Sequence, residues 1–365
     1  RSPSRGLGDV YKRQLVDCGF NASIINPIIT HSTKNGNIRK VKNDKIDSKG
    51  IAKLGLSKDI PVSQFPAKLV LELRSLTRKY YDLTDERSAH INKLKGDLHT
   101  VFPQYLDVFC DVTGKTSTMI LRQYGTPDKI LRGHKKTMIE KISKASRKGL
   151  AKASERYEKL CAAANAAKTF GCQIDSIYFN IFLTLDLVEK LDSALDSILN
   201  RIRQLITFNK NEKFIQQIKL LNTIPGVGFL TAVTIMCEIG DFSAFRNPKQ
   251  LFAYFGLDPE VNESGKFVGT QLHMSKRGSR IARRAIFAVA LASIRTKRNG
   301  EGINPYLRKY YELKSGQKPK MVAIGAVMHK VCNIVFAVLR DEKAFELRSP
   351  EEHCKQYQRP ALAAA

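Results

Sequence analysis

The sequence predicts a mainly α-helical fold, and three observations carry that prediction. Residues 67–102 (AKLVLELRSLTRKYYDLTDERSAHINKLKGDLHTVF) keep a helical apolar period with acidic and basic residues alternating on the outer faces. Residues 174–208 hold a second long helical pattern, in which Val188, Leu191, Leu195, Ile198, Ile202 and Leu205 are spaced 3, 4, 3, 4 and 3. After Lys219 the pattern changes to shorter apolar helical segments punctuated by glycine, beginning with LLNTIPGVGFLTAVTIMCEIGDF.

The elements follow in order. Residues 1–14 (RSPSRGLGDVYKRQ) have neither helical nor strand period and read as a non-native, adapter-derived segment. In NASIINPI, residues 21–28, adjacent β-branched residues run into a proline, which suits a short buried strand. NDKIDSKGIAKL, residues 43–54, reads as a helix capped by Asn43 or Asp44, with Ile46, Ile51 and Leu54 on its apolar side. Pro103 ends the first long helix, and residues 113–165 read as short, strongly basic helices broken at Gly125, Pro127 and Gly133. The 3-4 seam of the second long helix requires a partner; the 67–102 helix of the same chain and a second copy both satisfy it. Residues 320–339 are apolar nearly all round and form the core helix of the C-terminal region, with His329 a core residue rather than a ligand. The expected division is 1–14, a small N-terminal domain at 15–62, a long-helix region at 63–215, a C-terminal domain at 216–345 and a tail at 346–365.

Charge narrows the function. Sixty-one Lys and Arg face 34 Asp and Glu, a formal net charge of +27 over 365 residues. Such an excess repels itself unless a polyanion is bound, which points to nucleic acid. No apolar run is read as reaching the roughly 20 residues of a membrane span, and no signal-peptide pattern is present. Seven scattered cysteines, none in a C-x-x-C pair, fit reduced thiols in the cytoplasm and argue against a zinc ribbon.

Four motifs bear on chemistry. In IPGVGFLTA, residues 224–232, two glycines between apolar helical segments suit a helix-hairpin-helix, whose amides at Gly226, Val227 and Gly228 would meet a phosphate; a plain helical corner has the same local pattern. SKRGSRIARRAIFAVALASIRTKR, residues 275–298, contains no acid; Arg277, Arg280 and Arg284 share one helical face, and with Lys276 and Arg283 they suit a groove for phosphates. Asp44 and Asp47, spaced i, i+3, would project from one side of a helix start and suit Mg²⁺, although a cap beside a solvated neighbour is the commoner meaning of that spacing. Ser264 in EVNESGKFVG has no adjacent His and by local chemistry is a turn serine. GKTS at 114–117 lacks the earlier glycine of a P-loop, since Phe109 stands there.

Taken in order, INP, KNDKIDSKGIAKL, the long helices, LLNTIPGVGFLTA, FRNPKQLFAYFGLDP, ESGK, MSKRGSRIARRAIF and AIGAVMHKV resemble the transposases of the insertion-sequence 110 family, over about residues 15–345. The resemblance implies a RuvC-like, ribonuclease-H-fold α/β domain bearing four acidic residues, a coiled-coil insertion, and a helical C-terminal transposase domain. It implies a DNA recombinase that is guided by a structured bridge RNA, requires Mg²⁺ and assembles as a homo-oligomer, a tetramer. Asp44 and Asp47 match the last two acidic residues of the family's metal site. Ser264 matches its nucleophile, with Lys266 and residues 276–284 beside the phosphate.

One departure stands out. The family's second acid is a Glu, and no Glu precedes Glu72 here; Asp9, in GLGDVYK, lies only 35 positions before Asp44. The expectation is a truncated RuvC-like remnant and impaired recombination with nucleic-acid binding retained. The alternative is a non-catalytic helix-hairpin-helix binding protein of repair or recombination.

Overall fold

Long helices are stable where their apolar stripes are covered, and this chain covers most of them, leaving Phe179, Leu183 and Leu187 exposed. The computed structural model describes residues 14–15, 18–20, 44–56, 67–172, 174–210, 212–259, 263–264, 267–268, 273–349 and 351–352. They fall into two units, Arg1–Lys68 and Leu69–Ala365. In the first, α1 spans Asp44–Leu56, close to the expected helix, and Ile51 on its expected apolar side is 46% exposed. The strand expected at 21–28 lies outside the described residues.

The second unit is built on two helices of equal length, α2 (Lys68–Val101) and, after five shorter helices, α8 (Asp175–Phe208). They pair antiparallel. Leu73 of α2 shares one core with Ile202, Leu205 and Ile206 of α8, whereas Leu94, Leu98 and Val101 share another with Tyr178, Ile181 and Leu185. Midway, Arg87 grips Asp192 through bonds of 2.5 and 3.1 Å. The seam residues Val188, Leu195, Ile202 and Leu205 are buried within the chain, where α2 lies alongside, while Leu191 and Ile198 are half-buried. At a rise of about 1.5 Å per residue, the stretch from Leu73 to Leu98 holds the two cores roughly 40 Å apart.

The far core is a helical head inserted between α2 and α8. It comprises α3 (Tyr105–Val108), α4 (Lys115–Gln123), α5 (Pro127–Arg132), α6 (Lys135–Ser146) and α7 (Leu150–Phe170). Its breaks fall where expected: Gly125 is left-handed, Thr126 caps α5 with Pro127 in its first turn, and Gly133 closes it. Buried Tyr105 donates its hydroxyl hydrogen to the Ser117 carbonyl at 3.0 Å.

The near core is the C-terminal region: α9 (Lys213–Leu221), α10 (Phe229–Ile239), α11 (Pro248–Tyr254), the two-residue strands β1 (Glu263–Ser264) and β2 (Phe267–Val268), α12 (Arg280–Ser293), α13 (Pro305–Ser315) and α14 (Lys320–Asp341). Asn247, Ser279 and Asn304 cap α11, α12 and α13 by accepting backbone N–H groups. Contrary to the sequence reading, α14 is long and apolar enough by length and composition to cross a bilayer. In this fold it is the central core helix, with Ala323, Val327, Val331, Cys332, Val335 and Leu339 buried. His329 is half-buried and not a core residue; it packs edge-on against Phe252 at 4.7 Å, and burial followed by the nearby Lys330 and Lys249 lowers its pKa.

Candidate active site

The segment carrying Ser264 leaves and rejoins the C-terminal core at one point, and two glycines make that point. Gly256 is left-handed, and a Cβ there would fall 2.4 Å from the Gly278 nitrogen; a Cβ on Gly278 would fall 2.0 Å from the Tyr254 carbonyl oxygen. Two backbones thus cross in direct contact, which side chains would prevent. The Ser275 and Lys276 amides donate to the Asp258 and Gly256 carbonyls at 2.8 and 3.0 Å, and Ser275 Oγ lies 2.6 Å from Asp258 Oδ1. Pro259 then bridges Met274, Glu263 pairs with Val268, and Ser264 pairs with Phe267. Ser264 therefore stands at the last pair of an antiparallel excursion, with Gly265 and Lys266 next in sequence. The side chains of Ser264 and Lys266 lie outside the described residues.

The basic segment follows the clamp directly, but its geometry corrects the sequence reading. Ser279 accepts from the Ala282 amide and starts α12 at Arg280, so Arg277 precedes the helix and shares no helical face with Arg280 and Arg284. Lys276 adopts a left-handed φ of 52° within the turn. Arg283 points inward and donates to the Phe255 and Gly278 carbonyls at 3.2 and 2.7 Å, and burial lowers its pKa. It braces the glycine crossing, where a phosphate contact was expected. Arg280 and Arg284 do meet an acid: Asp85 of α2 pairs with them at 3.1 and 2.7 Å, and the Arg284 guanidinium lies 4.8 Å from the Tyr81 ring centre.

Beneath them α2 is fastened to the C-terminal core through a buried carboxylate. Glu238, with a side chain 3% exposed, takes two bonds from Arg78 at 2.9 and 3.0 Å. Burial pushes its pKa up, but Arg78, Ser279 and Arg74 outweigh that and hold it below the ordinary carboxylate range. Arg74 Nε donates to the Cys237 carbonyl at 2.7 Å, and the Tyr254 hydroxyl donates to the Glu238 carbonyl at 3.0 Å. This fastening was missed in the sequence, although its signal was present: Glu238 is the one charge in FLTAVTIMCEI.

The IPGVG turn also divides its labour differently from expectation. Gly226 has φ +97°, and a Cβ there would fall 2.5 Å from Ser293 Oγ, which itself donates to the Pro225 carbonyl at 3.0 Å. Val227 is buried and its amide donates to the Ile224 carbonyl at 2.9 Å. Val227 therefore serves internal packing, whereas Gly226 is half-buried with its Cα packed against Ser293. Gly228 is exposed and begins α10 with no side-chain cap and open space around its Cα, so the open helix start lies there.

Asp44 and Asp47 both lie in the first turn of α1, with side chains outside the described residues. Among the described residues no three His, Cys, Asp or Glu side chains are placed to hold a metal ion. The spacing alone fits a shared divalent cation, because i and i+3 positions are neighbours on a helix surface.

Comparison with known proteins bears on both ends of the chain. A family model described as "Transposase IS116/IS110/IS902 family" matches residues 218–312, which include Ser264 and the basic segment. A DEDD transposase model of the IS110 type matches residues 8–103. That match starts inside the segment set aside as non-native, includes Asp9, Asp44 and Asp47, and runs to the end of α2. "Insertion element IS110 uncharacterized 43.6 kDa protein" of Streptomyces coelicolor is 23% identical over 286 residues, 78% of this chain and 66% of that protein. "Pilin gene-inverting protein" of Moraxella bovis is 30% identical over 177 residues, 48% of this chain and 52% of that protein. "Transposase for insertion sequence element IS1111A" of Coxiella burnetii is 26% identical over 188 residues, half of each. The matched stretch thus spans between half and two thirds of these three relatives.

Proposed function

The chain belongs to the IS116/IS110/IS902 transposase family, and from that premise we propose that it is a DNA recombinase of an insertion sequence, with Ser264 as nucleophile. The observation that carries the reading is the glycine-crossed clamp, which sets the Ser264 strand pair directly before the basic start of α12. Attack of Ser264 Oγ on a backbone phosphorus forms a serine phosphodiester and expels a deoxyribose oxygen, which leaves with a proton. The reverse attack by another strand's hydroxyl restores Ser264 and joins new DNA. Each step exchanges one phosphodiester for another, so no nucleotide cofactor is needed. The relative named for pilin gene inversion fits this scheme, because inversion needs both breakage and rejoining.

Asp44 and Asp47 would hold a divalent cation, Mg²⁺ in our reading. When bound, it supplies charge neutralisation at a phosphate oxygen. Lys266, Lys276 and Arg277 orient the scissile phosphate, and the open start of α10 at Gly228 receives a neighbouring one. A structured guide RNA from the same element selects the DNA, and the protein works in the cytoplasm as a homo-oligomer; these parts rest on the family relationship.

A second reading, a non-catalytic helix-hairpin-helix binding protein, draws on the uncapped α10 start. Incubation with a nicked suicide DNA, guide RNA and Mg²⁺ separates the two. The recombinase reading expects a denaturation-resistant protein–DNA adduct that disappears in Ser264→Ala while DNA affinity is kept. Impaired recombination would lower the yield of that adduct but not its dependence on Ser264, so DNA binding with no trace of adduct in the parent supports the second reading.

A further inference from the structure

The charge of this chain is not spent where the sequence places it. Near Ser264, Arg280 and Arg284 are paired with Asp85, and Arg283 is bonded to carbonyls. In the helical head the balance is the opposite: residues 129–152 carry nine Lys or Arg to one acid, Glu140. Other acids of the head already have partners. Asp128 pairs with Lys168 at 2.7 Å and Glu155 with Lys159 at 2.7 Å, while Glu158 reaches Lys135 at 4.0 Å.

The surplus gathers at the turn between α6 and α7. Lys144 lies in the last turn of α6; Arg147 is its left-handed C-cap, with φ 54°; Lys148 follows; Lys152 lies in the first turn of α7. All four side chains are exposed, and none forms an ion pair within 4.0 Å among the described residues, although Lys152 lies near enough to Glu155 to lower its pKa. Met138 and Ile142 of α6 and Ala153 and Tyr157 of α7 are buried in the same core, so a packed helix pair sets the position of the turn. Beside it, Ile139 and Leu150 line a groove of about 620 Å³ together with Lys135, Lys136 and Glu140.

We propose that the Lys144–Arg147–Lys148–Lys152 turn is a second nucleic-acid-binding surface, which grips a phosphodiester backbone without reading its bases. Four clustered cations with no large exposed aromatic anchor suit a regularly charged backbone better than a protein partner. The head stands roughly 40 Å along the hairpin from the C-terminal core, by the helical rise of about 1.5 Å per residue. Either the DNA or an RNA stem offers this backbone. The proposal concerns binding only and stands whether or not Ser264 is the nucleophile.

The test uses the full chain, with Lys144, Arg147, Lys148 and Lys152 all changed to Gln. Affinity is measured against a random-sequence duplex DNA and an RNA stem-loop across a salt series. Each lost contact should lower the slope of log affinity against log salt by about 0.9 for duplex DNA, so four lower it by about 3.6. Raising salt from about 50 to 200 mM should then weaken the parent about 150-fold more than the variant. A fall with DNA alone, or with RNA alone, supports the surface and identifies its ligand. Unchanged slopes with both overturn it. Lys159→Gln with Lys168→Gln, which removes paired lysines from the same head, should leave both slopes unchanged. Arg147→Gly guards against misfolding, because glycine suits the left-handed backbone and its loss of slope cannot arise from strain.

Discussion

Replacing Arg78 with alanine should destabilise the fold more than replacing Glu238 with glutamine, and the difference should grow with pH. The Arg78 side chain is 48% exposed and that of Glu238 is 3% exposed, so the pair is asymmetric. Alanine at 78 strands a buried carboxylate, a change that typically costs about 3–5 kcal/mol. Protonation limits that cost: a carboxyl of ordinary pKa, about 4.3, takes up a proton at pH 7 for about 3.7 kcal/mol. Ser279 and Arg74 still face the group, so a loss of about 3 kcal/mol at pH 7 is expected. At pH 5 the same limit falls to about 1 kcal/mol. In the parent, the folded-state pKa of Glu238 lies below its unfolded value. Its contribution is therefore present above the unfolded pKa and is lost as pH falls through the folded one. In Arg78→Ala, burial without a partner raises the folded pKa, so that variant loses stability as pH rises. Glu238→Gln instead keeps a neutral acceptor for the half-exposed arginine and should cost about 1 kcal/mol at either pH. Urea unfolding followed by circular dichroism at pH 5 and pH 7 measures all three proteins. Equal costs for the two substitutions, or an Arg78→Ala cost that does not change with pH, would refute the reasoning.

Two further predictions test the candidate site. Gly278→Ala places a Cβ 2.0 Å from the Tyr254 carbonyl and should part the crossing beneath Ser264, lowering the melting temperature and abolishing strand cleavage; Gly228→Ala meets open space and should cost only about 0.5–1 kcal/mol, because alanine caps a helix less well than glycine. Asp85→Asn frees Arg280 and Arg284 from an exposed pair, so stability should fall by at most about 1 kcal/mol, while non-specific DNA affinity and its salt dependence should both rise.

What could be read from the sequence was local. Both long helices, the head's breaks at Gly125, Pro127 and Gly133, and the core helix containing His329 are periodicity and capping effects within one window of residues. Pairing across the chain could not be read. Asp85 lies 195 residues before Arg280, so a segment without acids looked unneutralised. The heptad seam declared a partner but not which one, because a stripe buries equally well against either candidate. At the glycines, the two positions of IPGVG look alike in sequence; only the approach of Ser293 separates the packed Gly226 from the open Gly228. The Ser279 cap was legible in principle, since Ser before an apolar-periodic run is a helix-start signal, and it would have placed Arg277 outside the helix. The nucleophile assignment came from resemblance alone, as nothing in the chemistry around Ser264 distinguishes it from a turn serine.

The decisive measurement is peptide mapping of the trapped adduct by mass spectrometry. After nuclease and protease digestion of the parent chain bound to suicide DNA, the nucleotide mass should sit on Ser264, in the peptide holding ESGK. A nucleotide attached to any other residue, or an adduct that survives in Ser264→Ala, would contradict the mechanism.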